Sequence, residues 1–134
     1  MKKFLIVLLL AIGIVATAEA QVVKYRATDV AFKSKNSYGN WSNWSDWEPC
    51  SVLIVLNRNN STVQIYSKEQ QEFDIIETIA DWHNDNDGGS QFEVSCVDKD
   101  GLRCHMRFRR QNNGTLQLYI DYNDFMYVYC MELR

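Results

Sequence analysis

The chain has 134 residues with 14 basic and 17 acidic side chains, a net charge of −3. That balance gives no overall attraction to phosphate backbones or anionic membranes, so nucleic acid is not expected as a partner. The four cysteines include no CxxC pair and the two histidines lack zinc-finger spacing, so the composition implies no metal and no cofactor.

The first twenty residues are written for export. Lys2 and Lys3 precede an apolar run from Phe4 to Val15, and Ala18-Glu19-Ala20 offers small residues where a signal peptidase reads. The run is too short to span a bilayer comfortably, and no stop-transfer segment follows. Gln21 is not a cysteine, so no lipid anchor is expected after cleavage. The expectation is a cleaved signal at 1–20 and a single periplasmic or secreted domain at 21–134. Removing 20 of 134 residues leaves 114, enough to bury a core without obligatory disulfides.

From Gln21 onward the dominant hydrophobic period is two, which predicts strands with one buried face. Val22 to Phe32 reads as the first strand and Ser34 to Asp46 as a loop or strand edge carrying the tryptophans. Ser51 to Leu56 and Thr62 to Ser67 follow as strands around a turn at Asn57 to Ser61. Phe73 to Ala80 fits a bulged strand or a short helix, and the strand is favoured. Asn84 to Gly89 is a polar loop ending in glycine. Beyond it, Phe92-Val94-Cys96, Leu102-Cys104-Met106-Phe108 and Leu116-Leu118-Ile120-Tyr122 alternate strictly, and Phe125 to Leu133 is the last strand. Turn chemistry at Asp98 to Gly101, Asn112 to Gly114 and Asn123-Asp124 joins them into an antiparallel meander. The fold class expected is all-β, with about eight strands in a small barrel or sandwich.

Closing the Asp98 to Gly101 turn over three residues sets Cys96 opposite Cys104, where facing Cβ atoms lie about 4.5–5.5 Å apart. The same count sets His105 opposite Asp121 and Arg109 opposite Gln117, and places Cys130 near Gln117. After an export signal, four cysteines read as two disulfides. Cys96–Cys104 follows from register and Cys50–Cys130 by elimination, while three connectivities stay formally open.

Several residues invite a functional reading beside a plainer one. Trp41-Ser42-Asn43-Trp44-Ser45 is similar to the WSxWS box of cytokine receptors, and Trp41 to Cys50 looks like the opening of a thrombospondin type 1 repeat. Both likenesses end within about ten residues, since Ser51-Val52-Leu53-Ile54 replaces the repeat's next cysteine and the box sits early in the chain. Trp41, Trp44 and Trp47 could instead form an exposed rim that stacks on sugars or a partner, or simply cover one end of the core. His105 and Asp121 could make a general-base dyad, but no nucleophile neighbours them, and cross-strand His–Asp pairs commonly solvate a sheet face. Arg103, Arg107, Arg109 and Arg110 form a basic stripe that suits an anionic ligand or a solvated face. Asp85-Asn86-Asp87-Gly88 fails as an EF-hand, because His83 and Val94 would hold its first and twelfth positions. Looser calcium binding by the acidic loop Asp81 to Asp87 is the alternative to a polar turn.

Over most of its length the chain resembles a group of small exported proteins from gut Bacteroidetes. The likeness rests on the lysine-led signal, Trp44 and Trp47 before an apolar strand, and Ile65-Tyr66-Ser67. It rests also on Cys96-Val97-Asp98-Lys99-Asp100-Gly101-Leu102-Arg103-Cys104 and Leu118-Tyr119-Ile120-Asp121-Tyr122. That resemblance implies location and fold and supplies no catalytic residues. The functional expectation is a non-catalytic binding or interaction module of the bacterial envelope, whose partner is an envelope protein, a glycan or a small apolar ligand. The alternatives are a lipocalin-like carrier with a cavity beneath Met106, Leu118 and Tyr127, an inhibitor-type protein, or a small hydrolase using His105 and Asp121.

Overall fold

The structure is a computed structural model and describes residues 21–134. The export signal expected at 1–20 lies outside the described residues. Eight strands follow in order: β1 (Val22–Ser34), β2 (Glu48–Asn57), β3 (Thr62–Tyr66), β4 (Gln70–Asn84), β5 (Ser90–Asp98), β6 (Arg103–Arg110), β7 (Leu116–Asp121) and β8 (Phe125–Leu133). Each pairs antiparallel with the next, and β8 pairs back onto β1, so the sheet closes into an up-and-down barrel. Of barrel and sandwich, the chain takes the barrel.

The hairpin turns set the register by a repeated local device. In Asp85–Gly89, Asp98–Leu102 and Gln111–Thr115 the first residue's N–H bonds the last residue's carbonyl at 2.9, 2.9 and 2.8 Å. The fourth residue is glycine in each, and Gly101 sits at φ +81°, a left-handed position that an L side chain resists. The Asp98 carboxylate adds bonds from the Asp100 and Leu102 N–H groups, both at 2.9 Å. These turns place Cys96 opposite Cys104, His105 opposite Asp121 and Arg109 opposite Gln117, the pairings expected from counting.

Strict alternation then directs one face of every strand inward. Phe73, Phe92, Phe108, Ile54, Ile65, Met106, Leu118 and Ile120 fill the interior and are essentially inaccessible to solvent. Charged residues such as Arg107 and Glu93 point outward, the reverse of a lipid-facing barrel. Pro49 lies at the start of β2, before β3 pairs with that strand at Leu53, so its missing N–H breaks no bond to β3. The segment Phe73 to Ala80 is a strand, and β4 carries register shifts at Ile75/Glu77, Thr78/Ala80 and Ala80/His83. Those bulges explain the mixed periodicity there.

The disulfides are a correction. All four cysteines are free thiols. Cys96 and Cys104 do face each other in the core, but the Asp98 N–H bond to Leu102 makes that closing pair a hydrogen-bonded one. Two residues on, the cysteines occupy the same wider class of pair, in which side chains stand farther apart than at the alternate sites. Cys50 and Cys130 lie on β2 and β8, on opposite flanks of β1, where Asp29 pairs with both Pro49 and Cys130. Two strand spacings, about 9–10 Å, exceed the reach of a disulfide, whose Cα atoms lie within about 7 Å. Elimination chose a pair that the sheet order separates.

Because Leu118 has no exposed surface and sits among Met106, Ile120 and Phe108, the Leu118→Ala protein should lose about 2–5 kcal/mol. Urea unfolding measures this, and a loss near zero would contradict a filled interior.

Candidate functional site

The tryptophan segment is held to the outside of the barrel. After a tight turn at Asn36 to Asn40, residues 41–47 run back along β1. Ser42 gives its N–H to the Ser34 carbonyl at 2.8 Å and receives the Ser34 N–H on its Oγ at 3.1 Å. Ser45 does the same with Phe32, at 2.8 and 2.9 Å. Three residues of the segment thus step against two of the strand. Trp44 lies between these anchors and Trp41 just before them, and both rings stack on lysines at the end of β1. Lys33 Nζ is 5.5 Å from the Trp41 ring and 4.6 Å from the Trp44 ring, and Lys35 Nζ is 5.1 Å from Trp41. Trp44 meets Tyr119 edge-on at 6.3 Å. Ala31 and Val128, in register with each other, are buried yet stand apart from the barrel core, and Val128 pairs with Tyr119 on this covered wall. Trp47, 48% exposed, is left the most open of the three.

On the outer face of β5 to β7 the register brings His105 and Asp121 opposite each other, but their side chains have other partners. Arg107 reaches Asp121 with Nε at 2.9 Å and a terminal nitrogen at 3.4 Å, while its guanidinium lies 4.3 Å from the Tyr119 ring. His105 Nε2 stands 3.6 Å from Glu93 Oε1 and makes no hydrogen bond. Within the basic stripe Arg109 is also neutralised, by Asp85 at 2.9 Å and Asp87 at 3.5 Å. The Asp85 carboxylate therefore serves a turn and an arginine. Its pKa is held low, first by the Arg109 hydrogen bond and further by the Asp87 and Gly89 N–H groups.

The end of the barrel where β1 finishes carries an aromatic cleft that the sequence did not single out. Its volume is about 450 Å³. Tyr122 and Phe125 flank the β7–β8 turn with stacked rings 4.5 Å apart, and Tyr127 meets Phe125 edge-on at 5.3 Å. Phe73 and Leu102 also line it. Glu69, Glu72 and Asp100 supply acceptors, and Gln70, Gln71 and Lys99 supply donors. Lys99 Nζ spans to the Gln70 carbonyl at 3.4 Å, tying the β5–β6 turn to the β3–β4 turn. The Tyr122 hydroxyl donates to Asp98 Oδ2 at 2.8 Å. Burial and that carboxylate together push the Tyr122 hydroxyl well up. Partial burial opposes ionisation of Asp98, but the Leu102 N–H, the Tyr122 hydroxyl and the Asp100 N–H outweigh it and leave the carboxyl below its ordinary value. The aromatic residues on both sides of Asn123-Asp124 were the only sequence signal for this cleft.

Comparison with protein-family models, with curated proteins and with solved structures finds no match to this chain.

Two outcomes follow from these environments. Asp81, Asp85 and Asp98 are all shifted downward, so the stability they contribute is present above the ordinary carboxylate pKa of about 3.9. It is lost as pH falls below that value through the folded pKa values. Thermal melts should be flat in this respect down to about pH 5 and should drop below about pH 4; Asp98→Asn should shallow that acid limb. For the thiols, the hydrogen bond with the facing Cys104 and then burial push Cys96 up, and burial raises Cys50 and Cys130. Reduced, folded protein should alkylate at Cys50 and Cys130 before Cys96 and Cys104, with all four reacting in denaturant. Prompt native labelling of Cys96 would contradict the enclosed pair.

Proposed function

We propose that the protein is an exported, non-catalytic binding module of the bacterial envelope that takes a glycan in the aromatic cleft at the end where β1 finishes. The observation that carries this reading is the Tyr122–Phe125–Tyr127 array set in a cleft with mixed acceptors and donors. Sugars present C–H faces that stack on aromatic rings and hydroxyls that both give and receive hydrogen bonds. A cleft of about 450 Å³ lies within the range of small-ligand sites. The lysine-led apolar segment at 1–20 and the likeness to exported Bacteroidetes proteins support the location.

The alternatives find less support in the geometry. A hydrolase would draw on His105 and Asp121, but the Asp121 carboxylate holds Arg107. A lipocalin-like carrier would draw on an internal cavity beneath Met106, Leu118 and Tyr127, yet Met106 and Leu118 are packed in the core with no exposed surface, and Tyr127 lines the cleft at the rim.

Calorimetric titration of the purified protein with a panel of soluble plant and host oligosaccharides tests the proposal. At least one should bind, and Phe125→Ala should weaken it about tenfold, the scale of one lost aromatic stacking contact, with the melting temperature kept. Absence of binding across the panel, or unchanged affinity in Phe125→Ala, would overturn it.

A further inference from the structure

The opposite end of the barrel, where β1 begins, holds a second and chemically different pocket. Its volume is about 290 Å³, and Tyr25, Trp82, Ser90, Arg110, Leu116 and Leu133 line it. Strand pairing explains the grouping. Tyr25 pairs with Leu133, Ser90 with Arg110, and Arg110 with Leu116, so five adjoining strands, β5 to β8 and β1, converge with Trp82 of β4 on one mouth. The Trp82 ring lies on Phe92 at 5.9 Å and an interplanar angle of 25°, and Tyr25 lies on Phe108 at 5.9 Å. The rings of the wall are therefore seated on the core.

Two polar groups in this pocket have no protein partner among the described residues. Tyr25 is only 5% exposed. Its hydroxyl has no hydrogen-bond partner among the described residues, yet it is not among the sealed orphan atoms, so it opens on the pocket it lines. A buried hydroxyl in that state ordinarily finds a partner. Arg110, exposed at the mouth, has no carboxylate within ion-pair distance among the described residues, whereas its neighbour Arg109 is paired. The Arg110 charge reaches the Tyr25 hydroxyl, lowering a pKa that burial raises more strongly. The backbone of Arg110 approaches Gly89 so closely that a Cβ there would run into the Arg110 carbonyl.

We propose that this pocket binds a small amphipathic carboxylate, an aliphatic or aromatic monoacid. The carboxylate takes the Arg110 guanidinium and the Tyr25 hydroxyl, and the apolar body lies against Trp82, Leu116 and Leu133. Planar guanidinium groups match carboxylates in a two-point geometry, and the hydroxyl supplies a further donor. The volume holds about ten water-sized groups at ~30 Å³ each, which sets the size of the acid. A neutral isostere forfeits the charge-assisted bonds while keeping the apolar contact.

The test uses 3-phenylpropanoate and octanoate as probes, with 3-phenylpropanamide as the neutral control, followed by calorimetry and by amide shifts in two-dimensional NMR. At least one acid should bind with shifts at Tyr25, Ser90 and Leu116, and the phenylpropanamide should bind at least about tenfold more weakly than its acid. Arg110→Gln should cost a similar ~10-fold, and because that side chain is exposed the fold should persist by circular dichroism. Tyr25→Phe should weaken binding by about threefold or more, and Leu116→Trp, which fills the space, should abolish it. No binding of either acid at ~10 mM, a ceiling weaker than a millimolar complex, would overturn the proposal. So would an amide as tight as the acid, or an unaffected Arg110→Gln protein. Phe125→Ala, at the other end, should leave acid binding unchanged, which separates this site from the glycan cleft.

Discussion

The pairing of β1 with β8 is the contact on which the rest of the molecule depends. It runs from Tyr25 opposite Leu133 to Ser34 opposite Phe125, and it joins the two ends of the described chain. Every other pair joins strands consecutive in the chain, but this one must be found across nearly the whole described sequence, at the largest cost in chain entropy. Once formed it removes the two open edges that an eight-stranded meander would present. It also encloses the inward side chains, so that Ala27 and Met131 become core residues together. The tryptophan segment is fastened to this same strand, through Ser34, Phe32 and the two lysines. That segment shields Ala31 and Val128 on the outer side of the seam. The seam is thus buried on both faces along part of its length, which the remaining wall of the barrel does not require.

A filled interior leaves the rims as the places where clefts form. An eight-stranded barrel is just wide enough for side chains to occupy its centre, and here three phenylalanines and a layer of aliphatic residues do so. Inward residues near each end of a strand are no longer covered by neighbours above them, and they become the walls of shallow mouths. Tyr127 and Tyr25 illustrate this, since each belongs to the inward series of its strand and each lines a cleft. Binding groups placed there inherit rigidity from the core beneath.

Much of this architecture was legible in the order of residues, and the legible part has a common cause. The Asp98 to Gly101 and Asn112 to Gly114 turns are short and chemically specific, so counting outward from them gave the Cys96/Cys104 and His105/Asp121 pairs correctly. Counting does not report which way a carboxylate turns once it arrives. Asp121 lies opposite His105, yet Arg107 on the same strand reaches it diagonally with a long, forked side chain. Nor does counting show that a facing pair is of the wider, hydrogen-bonded kind, which depends on the parity of bonds from the turn. The aromatic cleft was illegible for a different reason. Glu69 to Phe73, Asp98 to Leu102 and Tyr122 to Tyr127 meet only because three turns share one end of a closed barrel. The Trp41 to Trp47 segment was conspicuous by composition, but its two serine anchors belong to a pairing of three residues against two that no period in the sequence announces.

The two mouths differ in charge, and strand geometry keeps them apart. Glu69, Glu72, Asp98 and Asp100 surround one, and Arg110 with the Asp81-balanced Arg58 marks the other. A strand of eight to ten residues at ~3.3 Å each, tilted as barrels demand, separates them by roughly 20 Å. Beyond a screening length of about 8 Å in physiological salt, exposed charges at one end scarcely influence the other. Coupling between the ends would have to pass through the packed core and not through these charges. The barrel thus holds two separately built mouths apart. Its small size is no obstacle to that, because each surface is built from residues whose backbones the hairpin turns have already fixed.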